Sequence, residues 1–203
     1  SLSISKIPSI IYLIIYYYSL FMLNGITIGL ISTAVMLFAG LLITILINAL
    51  LAPTKKTPQR VLSEIVQLMG LEKNDTFLDM GCGVGDIVLE AYRSAQCKCF
   101  GYDISPIMII LARTKRILHF PMSKDIVFEG EDIFKLDLKN FTKIYCFLDE
   151  KSMDALKKKF QKFISNGGVV YSYRFNIKDM ESEKKVKLSD NEYLYIYSDL
   201  NKK

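Results

Sequence analysis

Between Lys6 and Lys55 the chain carries no charged side chain, and two apolar runs fill that interval. Residues 7–23 read IPSIIYLIIYYYSLFML and residues 26–51 read ITIGLISTAVMLFAGLLITILINALL, with Asn24-Gly25 between them. Neither run has the polar stripe that a helix on a domain surface requires, so a membrane is the expected surrounding. As a helix the second run is about 39 Å long, ample for a hydrocarbon core of about 30 Å. Gly29, Ser32, Thr33, Ala34 and Gly40 are small residues of the kind membrane helices tolerate, and Tyr16-Tyr17-Tyr18 suits an interfacial belt. Asn24-Gly25 is a turn signal. Residues 1–52 are therefore expected to form a transmembrane segment shaped as a two-helix hairpin, 7–23 and 26–51. A hairpin puts Lys6 on the same side as Lys55, Lys56 and Arg60, and positive residues prefer the cytoplasmic side. The protein is thus expected to be integral to a membrane, its following domain facing the cytoplasm or an equivalent organellar interior. A secretory signal does not fit, because the run is too long and Ala52-Pro53 is a poor cleavage site.

The pattern changes after residue 52. Residues 53–60 are a linker, and residues 57–203 are expected to fold as one domain. Thr57 is a plausible N-cap with Pro58 in the first helical turn, and apolar residues follow at 61, 62, 65, 66, 68 and 69 until Gly70. Short apolar runs then alternate with helical periodicity. Strands are expected over 76–80, 97–103, 125–132, 141–148 and 167–175, with helices over 86–95, 105–118 and 149–164. Two further strands, 185–190 and 192–199, read as a closing hairpin around Asn191. The alternation predicts an α/β fold, a doubly wound and mostly parallel seven-stranded sheet with an antiparallel edge.

Composition narrows the function. All 21 acidic residues and all but one of the 26 basic residues lie from Lys55 onward, so the domain's positive surplus is small. It is too dispersed to argue for nucleic acid. Cys82, Cys97, Cys99 and Cys146 lack metal-ligand spacing, and the single histidine, His119, is far from them, so no metal site is expected. The thiols fit a reducing compartment as small apolar residues.

The densest chemistry is LDMGCGVGD, residues 78–86, at the junction of an expected strand and helix. Ligands of such sheets sit at the carboxyl ends of the strands. Gly81, Gly83 and Gly85 permit close backbone approach. A dinucleotide fingerprint would space its glycines differently, and Asp86 stands where its final glycine belongs. Asp79 and Asp86 would repel a pyrophosphate, so a cationic ligand without phosphate is expected.

F-L-D-M-G-C-G-V-G-D resembles the first motif of the class I S-adenosylmethionine-dependent methyltransferases, whose ligand carries an ammonium and a sulfonium. The resemblance spans residues 57–199 and continues downstream. It implies that Asp79, Gly81, Gly83 and Gly85 hold the cofactor. G-Y-D places Asp103, with Ile104 after it, where these enzymes hold the ribose hydroxyls, and G-E-D-I-F places Asp132 and Ile133 at the adenine. Asp103 lies 18 residues beyond Gly85, a gap that one helix and one strand fill.

The apolar N-terminus, the Thr57-Pro58 entry, Ser172-Tyr173-Arg174-Phe175 and the compact length narrow the likeness. They resemble the small membrane-anchored protein-lysine methyltransferases related to the ATP synthase c-subunit lysine methyltransferase. The segment after residue 175 departs from them, reading N-I-K-D-M without tryptophan. The resemblance implies transfer of a methyl from S-adenosylmethionine to an accessible lysine of a membrane-associated protein. No N-P-P-Y acceptor motif follows the fourth strand, where the chain reads C-F-L-D-E. Asp149 and Glu150 are candidates to orient the amine, although Asp149 also suits the N-cap of the next helix. Tyr145, Tyr173 and Arg174 are candidates for the acceptor pocket. Two other readings stay open. One is a methyltransferase for a quinone or lipid, with Phe147, Leu148 and Phe175 lining an apolar pocket, and the other is a non-catalytic cofactor-binding membrane module.

Overall fold

The structure is a computed structural model describing residues 9–51 and 57–199. The expectations for Lys6, for residues 7 and 8 and for linker residues 53–56 lie outside the described residues. The chain divides into two units, Ser1–Pro53 and Thr54–Lys203.

The first unit is one continuous helix, α1 (Ser9–Leu51, 43 residues). This corrects the expected hairpin, because the helix runs through Asn24-Gly25 without a break. A glycine inside a helix costs only about 1 kcal/mol relative to alanine, and neither residue removes a backbone donor as proline would. The Thr27 hydroxyl also donates to the Asn24 carbonyl at 2.9 Å, within the helix. Polar side chains elsewhere do the same: Thr33 and Thr44 donate to the carbonyls of Gly29 and Gly40, both at 2.9 Å. Ile10–Ile45 is long and apolar enough to cross a membrane, by length and composition. Its large side chains, such as Phe21 and Met36, are exposed.

The second unit runs through α2 (Gln59–Leu68), β1 (Thr76–Met80), α3 (Asp86–Ala95), β2 (Lys98–Asp103), α4 (Pro106–His119) and β3 (Ile126–Gly130). It continues through β4 (Lys143–Cys146), α5 (Glu150–Ser165), β5 (Val169–Tyr173), β6 (Lys184–Lys187) and β7 (Tyr193–Tyr197). The seven strands form one sheet in the order β3-β2-β1-β4-β5-β7-β6. Only β7 runs antiparallel, between β5 and β6. The expected α/β class, strand number and antiparallel edge are therefore those observed.

Period-two alternation builds the two layers. Phe77, Tyr145, Tyr171 and Tyr173 pack with Val61 and Ile65 of α2, Val88 of α3 and Ile109 of α4. Leu78, Met80, Ile144, Cys146 and Val170 point the other way, onto Met153, Leu156 and Phe160 of α5. Each fully buried large side chain contributes about 1.5–3 kcal/mol. Strands β4 and β5 are shorter than the apolar runs that announced them. Their surplus residues, Phe147, Leu148, Arg174 and Phe175, fall in loops at the carboxyl ends. The chain winds outward from β1 through β2 to β3, then returns to β4, so the topological switch lies between β1 and β4.

At the domain entry Pro58, not Thr57, takes the N-cap position of α2, with φ −60 and ψ 137 and no side-chain cap. A residue before proline is pushed toward extended backbone, which turns Thr57 away from the helix start. Its hydroxyl instead meets that of Tyr145 at 2.6 Å.

Candidate active site

The glycine loop leaves β1 at the switch point and enters α3. Gly81, Gly83 and Gly85 all have positive φ (83, 53 and 81), a region that residues with a Cβ rarely adopt. The loop is tied to the end of β2. The amides of Gly81 and Cys82 both donate to the Tyr102 carbonyl, at 2.8 and 3.0 Å. The Gly83 amide donates to Asp103 Oδ2 at 2.9 Å. Beneath the loop lies the ring of Phe128 from β3. A Cβ on Gly85 would stand 2.5 Å from its Cζ, and one on Gly101 2.9 Å from Cys82 Sγ.

The acids differ in their circumstances. Asp79, at 4% exposure, is one of two buried polar or charged residues in the described core. Among the described residues no donor reaches its carboxyl group. Burial, reinforced by Asp103 and Asp86 nearby, raises its pKa well above the ordinary 3.8. Asp86 differs in its partner, since Lys115 of α4 pairs with it at 2.6 Å. Lys115 thus offsets one of the two acids expected to repel a pyrophosphate. Asp103 accepts from Gly83 through Oδ2 and from the Ser105 amide through Oδ1 at 2.8 Å. Each oxygen keeps a second acceptor position for a ligand donor. Asp132 accepts from the Phe134 amide at 3.0 Å and pairs with Lys135 at 3.5 Å. Ile104 is exposed beside Asp103, and Ile133 packs on the α5 side of the sheet.

A cleft brings together Asp79, Gly81, Gly83, Asp86, Thr57, Tyr145 and Phe147. Tyr145 is buried on β4, and burial pushes its hydroxyl well above the ordinary 10.0. Phe147 packs edge-on against Tyr173 at 4.8 Å and near-parallel to Phe175 at 6.1 Å, forming an aromatic wall. The Tyr173 hydroxyl donates to Asp190. Arg174 pairs with Glu192 at 2.6 Å. Asp149 accepts from the Ser152 amide at 2.8 Å as the N-cap of α5, and Glu150 is exposed in the first turn beside it. The geometry of Asp149 is that of the N-cap reading.

Reading the residues had not singled out Thr57 as a cleft residue, Lys115 as the partner of Asp86, or Phe128 beneath the loop. Lys115 carried a signal: Met108, Ile109 and Ala112 are the buried stripe of α4, and position 115 continues that phase. Thr57 carried only helix-entry chemistry and the likeness of the Thr57-Pro58 entry, and Phe128 only strand alternation.

These residues fit S-adenosylmethionine. The unpartnered, buried Asp79 suits an ammonium, the glycine backbone admits close approach, and Asp103 and Asp132 offer acceptors to a ribose diol and an amino group. A switch-point glycine loop with acids from β1, β2 and the end of β3, in a sheet of this order, defines a class I S-adenosylmethionine-dependent methyltransferase. Within that class the chain belongs to the ANTKMT methyltransferase domain family, whose family model matches residues 79–184. A protein-lysine N-methyltransferase of Saccharolobus islandicus is 25% identical over 149 residues, covering 71% of this chain and 92% of that protein. The adenine nucleotide translocase lysine N-methyltransferase of Mus musculus is 29% identical over 98 residues, 48% of this chain and 42% of that protein. An RNA methyltransferase of Salinibacter ruber, solved with S-adenosyl-L-homocysteine, superposes with a TM-score of 0.66 at 23% identity, over 70% of this chain and 92% of that one. That superposition concerns the fold.

Proposed function

We propose that this chain is a membrane-anchored protein-lysine N-methyltransferase whose acceptor is a membrane-associated protein. The observation that carries the lysine reading is the likeness to the Saccharolobus islandicus enzyme, which extends over nearly all of that protein. The acceptor side supports it: an aromatic wall of Phe147, Tyr173 and Phe175 suits a cationic side chain. The uncharged, exposed length of α1 supports a membrane anchor. Its apolar stretch exceeds the roughly 20 residues of one crossing, so tilt or interfacial burial takes up the surplus. With a single span, Lys6 and the Lys55, Lys56, Arg60 group flank opposite faces. The Lys55, Lys56 and Arg60 group at the domain end of the span favours the cytoplasm for the domain.

When bound, the cofactor supplies a methyl on a positively charged sulfur, already activated for displacement by an amine. The protein's share is positioning and dehydration. Asp79 would meet the cofactor's ammonium, which would favour the ionised acid and offset its burial. Asp103 would hold the sugar while it braces the glycine loop through Gly83. Phe147 and Tyr145 exclude water at the acceptor side, and an apolar wall also favours the neutral lysine amine that must attack. Membrane confinement raises the effective concentration of acceptors in the same bilayer.

The test is incubation of the full chain with labelled S-adenosylmethionine and native membranes, followed by mass spectrometry of proteins and lipids. Methyl mass shifts on lysine are expected. Label confined to organic-extractable lipid or quinone would move the assignment to a small-molecule acceptor.

A further inference from the structure

The end of β5 holds a cation in an unusual way. Arg174 has φ 69, a left-handed conformation that a side-chain-bearing residue adopts only when its surroundings impose it. Its amide donates to the Tyr193 carbonyl at 2.8 Å, which fixes the backbone. Its guanidinium then reaches Glu192 at 2.6 Å. It lies 5.9 Å from the ring centre of Phe147 and 5.8 Å from that of Tyr173. Glu192 is itself set by the turn between β6 and β7, where its amide donates to Asp190 Oδ1 at 3.1 Å. A carboxylate and two aromatic rings therefore flank one partly exposed positive charge. Phe147 is also a wall of the cleft that contains Asp79 and the glycine loop.

A site of one carboxylate and two ring faces recognises an alkylammonium as well as a guanidinium. The geometry assigns it to the acceptor: Arg174 occupies, in the resting protein, the seat of the substrate's ammonium, and Glu192, Phe147 and Tyr173 form the recognition site for that cation. This rests on the lysine reading above and deepens it by naming what captures the side chain before transfer. Arg174 swings out when a lysine enters. An acceptor then binds with an apparent affinity reduced by the fraction of time Arg174 spends in the seat. Arg174 is thus a selectivity device, since a neutral acceptor gains nothing by displacing it.

The experiment uses the full chain in detergent with bound S-adenosyl-L-homocysteine, and n-butylammonium as the probe, titrated by calorimetry. Arg174→Gly, which also suits the positive φ, should tighten n-butylammonium binding about fivefold. Glu192→Gln should weaken it about tenfold. Cofactor affinity reports whether each variant is folded, n-butanol is the neutral control, and Arg174→Asn is the second variant at the strained position. Probe binding that stays the same or weakens in both Arg174 variants, with cofactor affinity intact, overturns the assignment. A parallel assay with a lysine peptide separates the two claims. If the unsubstituted chain methylates no lysine while the probe behaves as expected, the lysine reading fails and the cation seat stands. If lysine is methylated but the acceptor KM does not fall in Arg174→Gly, the seat fails and the enzyme reading stands.

Discussion

The two halves of the sheet are built on different principles. On the β1–β3 side, backbone dictates the site. Three left-handed glycines, a loop lashed to the Tyr102 carbonyl and the Phe128 ring beneath it leave almost no side-chain freedom. On the β4–β7 side, side chains from Phe147, Tyr173, Arg174 and Glu192 meet across loops, held by ring contacts and one ion pair. The first half is shaped to a ligand of fixed chemistry. The second presents a surface that can be retuned one residue at a time.

The sharpest way to expose that asymmetry is Gly85→Ala. Its Cβ would need both a left-handed backbone and 2.5 Å from Phe128, so a loss of about 3 kcal/mol is expected in denaturant unfolding. Adding Phe128→Leu should restore only the part due to crowding. Next in size is Asp79→Asn, expected to weaken cofactor binding by about 2–3 kcal/mol while raising the stability of the cofactor-free protein at neutral pH. Because the folded pKa of Asp79 is raised, the stability it contributes is fully present below its ordinary 3.8. That stability is lost as pH rises through the elevated folded value. Thermal unfolding across that window should show the decline in the native chain and a flatter profile in the variant. Binding of the cofactor ammonium should release a proton wherever Asp79 is still protonated, detectable by calorimetry in buffers of different ionisation enthalpy.

Asp103→Ala comes third, at about 1.5–3 kcal/mol of cofactor affinity, because it removes both a ligand acceptor and the brace on Gly83. Unchanged affinity would remove Asp103 from the site. The smallest change belongs to the other half: Tyr145→Phe removes one hydroxyl contact to Thr57 and should cost about 1 kcal/mol of stability. A cofactor effect as large as that of Asp103→Ala would erase the distinction between the two halves.

The same asymmetry explains how much could be read from the residues alone. The glycine loop is announced by its own spacing at a strand-to-helix junction, whereas Asp103 and Asp132 are singled out by the resemblance to class I methyltransferases. Alternation of apolar residues likewise foretold all seven strands. The aromatic wall was half visible. Tyr145, Tyr173 and Arg174 stood out by type, but no spacing links residue 147 to 192, and only folding of β7 between β5 and β6 brings them together. Thr57 looked like a helix cap because the residues after it are helical, yet Pro58 redirected it to Tyr145. Asn24-Gly25 carried a turn signal that the surrounding helix-forming length overrode.

The hydroxyl contact between Thr57 and Tyr145 has a practical consequence for anyone trimming the protein to its second unit. A cut placed just ahead of Thr57 would create a new amino terminus on a residue that lines the same cleft as Asp79. That fresh positive end would lie at a cleft that also holds Asp79 and Asp86, and would carry the same charge as the cofactor's ammonium. Keeping several of the preceding residues preserves the neutral peptide link there.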